Sequence, residues 1–428
     1  MLSHWLAPLL ARRNIHYGWV MVGVTFLTAL ISAGAGGTLG VFIVPLQNEF
    51  GWTNANISTA FSIRLVLFGL MAPFAGALLN RFGLRRVTFA ALTIVGVSLA
   101  VSLRMTSLWQ LTLLWGAIVG FGTGMTALVL GATVAARWFV ARRGLVVGIL
   151  SASTATGQLI FLPIVSLIAE RYQWRPALAM MCGLLAFAII VVLALMQDRP
   201  SDVGLRPFGD DGSQPSAPAA SGGGIAAASF GALRDAARVP VFWILFGTFF
   251  VCGASTFGLI QVHLIPMCVD YGLSVSQGAT LLAAMGVFDF FGTIASGWLS
   301  DRYDNRWLLF WYYGLRGLSL VFLPFTEFSF YGLSIFAVFY GLDWIATVPP
   351  TVKLTATRFG AERAGLVFGW IFAGHQLGSA AAAFGAGLSR TFLATYLPAF
   401  FAAGALCLIA SLAALAIDNK RRAQPAAA

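Results

Sequence analysis

Apolar residues run along this chain in long blocks parted by short polar or basic turns. Twelve blocks stand out: Tyr17–Val44, Ile57–Leu79, Val87–Leu103, Trp109–Ala135, Gly144–Ile168, Ala177–Met196, Val241–Cys268, Gln277–Leu299, Trp307–Phe325, Tyr331–Val352, Gly365–Ser389 and Phe392–Ile417. Most come close to or exceed the roughly 20 residues that a helix needs to cross hydrocarbon. None has the period-two alternation over about ten residues that marks a barrel strand. A helix satisfies its own backbone in lipid, so the pattern predicts an all-α integral membrane protein with twelve spans. One stretch departs from it. Residues 198–239 are dense in Pro, Gly, Ser and Asp, which predicts a disordered linker between a first half at 17–197 and a second at 240–418.

The two halves repeat one plan. A single offset of 221 residues pairs Gly76 with Gly297, Pro45 with Pro266, Glu49 with Asp270, Gly51 with Gly272, Gly120 with Gly341 and Arg137 with Arg358. The same offset pairs Arg142 with Arg363, Gly144 with Gly365, Gly148 with Gly369 and Gly157 with Gly378. No gap is needed anywhere, which is the mark of an internal duplication.

Composition agrees with the pattern: 59% of residues are hydrophobic and 10% charged, with mean hydropathy +0.86. A soluble domain carries about 25% charged residues. The net charge of +11 raises the question of a nucleic-acid partner, but its distribution answers it. Twenty of the 26 Lys and Arg fall on the side of the N-terminus; Arg104, Arg171, Arg175 and Arg390 fall opposite, and Arg64 and Arg316 lie within blocks. That asymmetry predicts both termini in the cytoplasm of an inner (plasma) membrane protein and no nucleic-acid partner. Residues 1–16 and 419–428 are then cytoplasmic ends. Met1–Leu10 is too short for a signal peptide and is expected to lie on the membrane surface with Trp5 near the headgroups. Cys182, Cys252, Cys268 and Cys407 lie in or beside apolar blocks without metal spacing and read as buried thiols.

Ionisable side chains inside the blocks are the candidates for chemistry, because they are expensive in lipid. Asp289, Arg316, Asp343 and His375 each lie about ten to twelve residues from a block end, roughly 15–18 Å along a helix and near the midplane. Either Asp289 or Asp343 can neutralise Arg316; four groups at one depth exceed what one pair explains. His263 adds a further ionisable group in the seventh block. Arg64 stands sixteen residues before Asn80. It either snorkels to the outer headgroups or faces a central cavity. Thr154 and Gln158 can line a pathway or bond to a neighbouring helix. The small residues from Ser32 to Gly40, and Gly116, Gly120, Gly124, Gly144 and Gly148 at four-residue spacing, predict close helix packing; the first run also leaves room for a substrate.

The second and eighth blocks end alike, in Gly76-Ala77-Leu78-Leu79-Asn80-Arg81 and Gly297-Trp298-Leu299-Ser300-Asp301-Arg302. These hairpins resemble the loop 2–3 and loop 8–9 motif of the major facilitator superfamily, with Asn80 where an acid is usual and Asp304 where Gly is. Trp138-Phe139, Arg142-Arg143-Gly144-Leu145 with Gly148, Tyr17-Gly18-Trp19 and Asp198-Arg199-Pro200 are similar to the monocarboxylate-transporter-like and oxalate:formate-antiporter-like branch. The resemblance implies two pseudo-symmetric six-helix bundles, alternating access, no cofactor or metal, and transport rather than catalysis. It places Asp289 at the helix 8 acid of monocarboxylate carriers, as the proton-coupling group. Their next Arg falls on Thr293, their helix 1 Lys on Gly37, and the helix 11 Lys of oxalate carriers on His375. The expected cargo is a small organic anion, a monocarboxylate, with proton symport as a possible coupling. His375, Arg64, Asp343, Thr293, Thr154 and Gln158 are expected to bind it. Gly76, Asn80, Arg81, Gly297, Asp301 and Arg302 form the gating hairpins. The carrier is expected to act as a monomer in contact with lipid. Efflux of an amphipathic compound and anion exchange are the alternatives, with a non-transporting sensor behind them.

Overall fold

The computed structural model describes residues 2–126, 128–210 and 225–417, leaving aside the side chains at 2–4, 77, 80, 128, 143–144, 151, 154–155, 158–159, 225–226, 228, 330 and 361–362. The first half comprises α1 (Gly18–Phe50), α2 (Asn54–Phe82), α3 (Leu84–Ser102), α4 (Leu108–Trp138), α5 (Arg143–Tyr172) and α6 (Trp174–Leu195). The second comprises α7 (Pro240–Asp270), α8 (Val275–Arg302), α9 (Asn305–Thr326), α10 (Tyr331–Phe359), α11 (Ala361–Leu393) and α12 (Leu397–Leu415). Among the described residues ten of these pass as membrane spans by length and hydropathy alone. The other two, α5 and α11, are 30 and 33 residues long, enough to cross at 1.5 Å per residue.

The duplication is visible atom by atom. Thr53 caps α2 by accepting the Asn56 N–H at 3.2 Å, and its counterpart Ser274 caps α8 by accepting the Gln277 N–H at 3.1 Å. Before each cap stands a glycine in the left-handed region, Gly51 at φ 69° and Gly272 at φ 86°, which a side chain would strain. A Cβ on Gly120 of α4 would sit 2.8 Å from Cα of Arg64, and one on Gly341 of α10 would sit 3.0 Å from Cα of Met285, the residue 221 places after Arg64. Gly157 of α5 likewise abuts the Leu30 carbonyl, and Gly378 of α11 the Phe250 carbonyl. Gly148 differs from expectation: nothing lies within 4 Å of where its Cβ would be, so it serves no tight contact. The side chains at 143–144, where Gly144 falls, are outside the description.

Three helices leave α geometry in mid-span, and a fourth opens. α1 tightens to a 3-10 turn at Leu39–Phe42, α7 widens to a π turn at Ala254–Ile260, and α4 does so at Thr112–Ile118. α10 unwinds at Trp344–Thr347, just before Pro349 and Pro350, whose rings cannot continue the upstream ladder.

The halves meet where α2 lies along α11 and α5 along α8. On the face opposite the termini they are sealed. Ala55 N donates to Thr391 Oγ1 at 3.0 Å, Tyr396 Oη to Asn54 Oδ1 at 3.0 Å, Ser62 Oγ to the Ala380 carbonyl at 2.9 Å, and Ser276 N to Glu170 Oε1 at 2.8 Å. Gly40 of α1 lies directly on the backbone of Gln261 and Val262 in α7. An outer cleft of about 600 Å³, lined by Asn48, Glu49, Glu170, Gln173 and Trp174, borders this seal.

The described parts of the linker, 198–210 and 225–239, are more ordered than its composition suggests. Phe208 donates its N–H to the Trp138 carbonyl at 2.8 Å, and its own carbonyl accepts from Val140 and Ala141. A helix at Ile225–Ala236 then sets Phe230 between Phe74 of α2 and Trp370 of α11, with ring centroids 5.8 and 5.5 Å away. Trp370 Nε1 donates to the Ser229 carbonyl at 2.9 Å. Phe208 and Phe230 supply the apolar anchors that a Pro- and Gly-rich average conceals; residues 211–224 lie outside the description. The expected surface helix spans Leu2–Ala11 with Trp5 exposed.

Overpacking a helix crossing costs about 1–3 kcal/mol or more. Gly120→Leu and Gly341→Leu should therefore each lower the unfolding temperature in detergent, whereas Gly148→Leu and Gly369→Leu, both in open space, should not. Equal losses at all four positions would contradict the packing described.

Candidate functional site

Arg64 projects from α2 into the seam between the halves. Its surroundings are Gly36 and Gly40 of α1, Phe61 of its own helix, and Phe257 and Gln261 of α7, around a cavity of about 20 Å³. That is room for one water. Gly36 and Phe257 are counterparts under the 221-residue offset, as are Gly40 and Gln261, so the cavity lies on the pseudo-two-fold axis. The guanidinium comes so near α1 that a Cβ on Gly36 would stand 3.0 Å from Nη2. Nε and Nη1 are buried and, among the described residues, have no hydrogen-bond acceptor. Arg64 thus faces the interior; it does not snorkel outward. A cation with unmet donors in a partly buried seam is costly unless an acceptor joins it, and the oxygens of an anion are such acceptors.

His375 of α11 lies on the other side of Phe257. Its ring is set among Phe249 at 4.9 Å, Phe257 at 5.5 Å edge-on and Phe372 at 5.7 Å stacked, all between centroids. His375 Nδ1 and Gln376 Oε1 are buried without partners among the described residues. α7 and α11 touch backbone to backbone here: a Cβ on Gly253 would strike the His375 carbonyl, and one on Gly258 the Ser379 carbonyl.

The acids form a separate cluster inside the second half, built around the opening in α10. Unwinding at Trp344–Thr347 frees peptide groups that α geometry would have paired. Ile345 N donates to Asp289 Oδ1 at 2.9 Å, and Thr293 Oγ1 donates to the same oxygen at 3.0 Å. Arg316, fully buried, donates from Nη2 to the Trp344 carbonyl at 3.0 Å and to the Asp343 carbonyl. Its Nε binds Asp343 Oδ2 at 2.7 Å, and its Nη1 reaches Cys252 Sγ at 3.0 Å. The open choice of partner for Arg316 is settled in favour of Asp343, whose Oδ1 stays buried and unpartnered. Asp343 is therefore held by a protein cation, while Asp289 has a backbone donor and a hydroxyl.

The sequence-derived residues thus divide into two places. Arg64 and His375 flank Phe257 on the axis; Asp289, Thr293 and Asp343 sit within the second half. Thr154 and Gln158 have side chains outside the described residues. Of the hairpins, Gly76 packs against Val129, Arg81 stacks over Phe82 at 5.4 Å, and Gly297 meets nothing within 4 Å. Asp301 binds Lys353 Nζ at 2.9 Å, and Arg302 lies over the Trp298 ring at 4.0 Å. Asn80's side chain is outside the description. Asp304, where the motif usually has Gly, caps α9 through the Arg306 N–H at 3.0 Å, and its bonds from Arg306 hold its carboxyl below the usual carboxylate range. An acid that the motif did not flag serves the first hairpin: Asp198 accepts the Arg85 N–H at 2.9 Å at the start of α3. Phe257 and Gln261 were also missed. Gln261 had a signal, as a polar residue within an apolar block; Phe257, one of 36 phenylalanines, had none.

A model of the Major Facilitator Superfamily matches residues 25–383 and again 270–428. Monocarboxylate transporter 12-B of Danio rerio is 26% identical over 383 residues, covering 82% of this chain and 77% of its own. Monocarboxylate transporter 13 of Rattus norvegicus is 26% identical over 398 residues, covering 92% and 87%. The uncharacterized MFS-type transporter YcxA of Bacillus subtilis (strain 168) is 23% identical over 388 residues, covering 86% and 88%. In fold, the chain is similar to the crystal structure of a bacterial homolog to the human lysosomal transporter Spinster, in an inward-facing and unoccupied conformation. That likeness has TM-score 0.70 at 15% identity, over 94% of this chain and 95% of that one.

Removing one partner of a buried ion pair strands the other, at about 3–5 kcal/mol, whereas replacing both by apolar groups is near neutral. Arg316→Met should therefore destabilise the protein strongly in thermal unfolding, and Arg316→Met with Asp343→Leu should recover only the part due to the stranded carboxylate, because the carbonyls of Asp343 and Trp344 lose their donor in both variants. An additive double variant would show that the pair is not the unit described.

Proposed function

The chain belongs to the major facilitator superfamily, and from that premise we propose that this membrane transporter carries a small organic anion, a monocarboxylate, by alternating access. The observation that carries the reading is Arg64: a cation in the seam of the two halves, with two buried donor nitrogens and no protein acceptor among the described residues. The relatives named as monocarboxylate transporters support the same cargo class. Monocarboxylate-type carriers place an Arg where Thr293 stands, in the second half; Arg64 supplies the cation from the first half instead. One cation on the axis suits a monoanion better than a dianion.

Arg64 binds the carboxylate and His375, beyond Phe257, contacts the rest of the anion from the second half, with Thr154, Gln158 and Thr293 lining the route. Asp343 takes part through its free oxygen and by holding Arg316. Asp289 carries the coupling proton: its second oxygen is not committed to a protein cation, so it can exchange a proton without breaking the Arg316–Asp343 pair. The bundles 17–197 and 240–418 rock as bodies joined through 198–239, and the monomer is the working unit. The basic excess on the terminus-bearing face supports an inner-membrane location with both ends in the cytoplasm.

Uptake of labelled carboxylates into proteoliposomes tests this. Arg64→Gln should lower kcat/KM about a hundredfold, the scale of a lost desolvated charge contact. Uptake should rise as the outer pH falls, and Asp289→Asn should flatten that dependence while exchange persists. Unchanged kinetics in Arg64→Gln together with an unchanged pH profile in Asp289→Asn would remove the site assignment.

A further inference from the structure

We infer that Phe257 determines substrate specificity, selecting monocarboxylates with an apolar or aromatic body; this rests on the anion reading of Arg64 given above. Phe257 lies within the π turn of α7, Ala254–Ile260. Such turns, when they interrupt an α-helix, often mark functional positions, because they re-aim a side chain. The backbone on either side is pinned: Gly253 and Gly258 press against α11 at His375 and Ser379, leaving no space for a Cβ. Phe257 therefore belongs rigidly to the second half. Its ring has two neighbours on the axis, the Arg64 cavity and the edge of His375 at 5.5 Å.

Arg64 belongs to the first half. Rocking of the halves accordingly separates the Arg64 guanidinium from the Phe257 ring and opens space between them. A ligand taken into that space has its carboxylate against Arg64 and its body against Phe257. Phe61, Phe249 and Phe372 continue the apolar wall, and Gln261 is the neutral polar side chain among the cavity's lining residues. On the first-half side the counterpart of Phe257 is Gly36, whose missing side chain gives the Arg64 guanidinium its place. A second carboxylate would meet aromatic rings and no second cation among these residues, so the site discriminates against dicarboxylates as well as against very small acids.

Two probes share one head group and differ in body: acetate and phenylacetate. Binding to the purified full-length carrier is measured by thermal-shift titration, with succinate as the dianionic control. Wild type should bind phenylacetate about tenfold or more tightly than acetate, on the scale of burying one aromatic ring, and succinate no better than acetate. Phe257→Ala should cut the phenylacetate preference to about threefold or less while changing acetate affinity less than about twofold, and Phe257→Leu should retain an intermediate preference. Equal binding of acetate and phenylacetate to wild type, or an undiminished preference in well-folded Phe257→Ala, overturns the inference and leaves the anion reading standing. Failure of wild type to bind any of the three acids removes both.

Discussion

Hydrocarbon offers no partner for a peptide group or a charge, and this constraint organises the second half of the molecule. Where α10 unwinds at Trp344–Thr347, its carbonyls and an N–H need partners inside the protein. Arg316 takes the carbonyls of Asp343 and Trp344, and Asp289 takes the N–H of Ile345. The Asp343 carboxylate then neutralises Arg316. Opened helix and buried charges are each other's solution: without the charges the break would be orphaned, and without the break Arg316 would lack acceptors.

The first half meets the same geometry by different means. Under the 221-residue offset, Arg316 corresponds to Val95 and Asp343 to Gly122. A Cβ on Gly122 would stand 2.6 Å from Val95 Cγ2, so these two also touch. Asp289 corresponds to Phe68 and Ile345 to Gly124, and Gly124 lies on the Phe68 backbone, 3.0 Å from its carbonyl oxygen to the would-be Cβ. The duplicated contacts are apolar in one half and ionic in the other. An ion pair and a tight apolar contact are close in stability once each is complete. The asymmetry of the candidate site follows from the same divergence: under the offset Arg64 corresponds to Met285 and His375 to Thr154.

Spans, repeat and the charges within the apolar blocks were legible in the sequence because each depends on residue type and spacing alone. Directions were not. Whether Arg64 snorkels or turns inward depends on the space that Gly36 and Gly120 leave, which is a property of two neighbouring helices. Arg316's partner depended on where α10 opens; hydropathy continues across the break, and only Pro349 and Pro350 hint at it. Gly148 was read as a packing glycine from its four-residue spacing, yet spacing fixes a face without fixing what lies opposite. In the linker, composition averaged over 198–239 hid Phe208 and Phe230, the two rings that anchor its described parts.

These features place the moving parts. The Arg316–Asp343–Asp289 cluster lies wholly within the second half, so rocking need not break it. The seal on the face opposite the termini is made of single hydrogen bonds and of glycines against backbone, contacts worth about 1 kcal/mol each that can part and re-form. Arg64 is different, because the second-half groups it closes against are Phe257 and Gln261, neither of them anionic. On the anion reading proposed above, closing the seam over Arg64 leaves two buried nitrogens without an acceptor among the described residues, whereas closing it over a guanidinium that holds a carboxylate does not. A ligand shifts such an equilibrium only by its different affinity for the two states. On the proposed anion reading, the neutral wall opposite Arg64 provides that difference, and closure of the halves is tied to an anion between them.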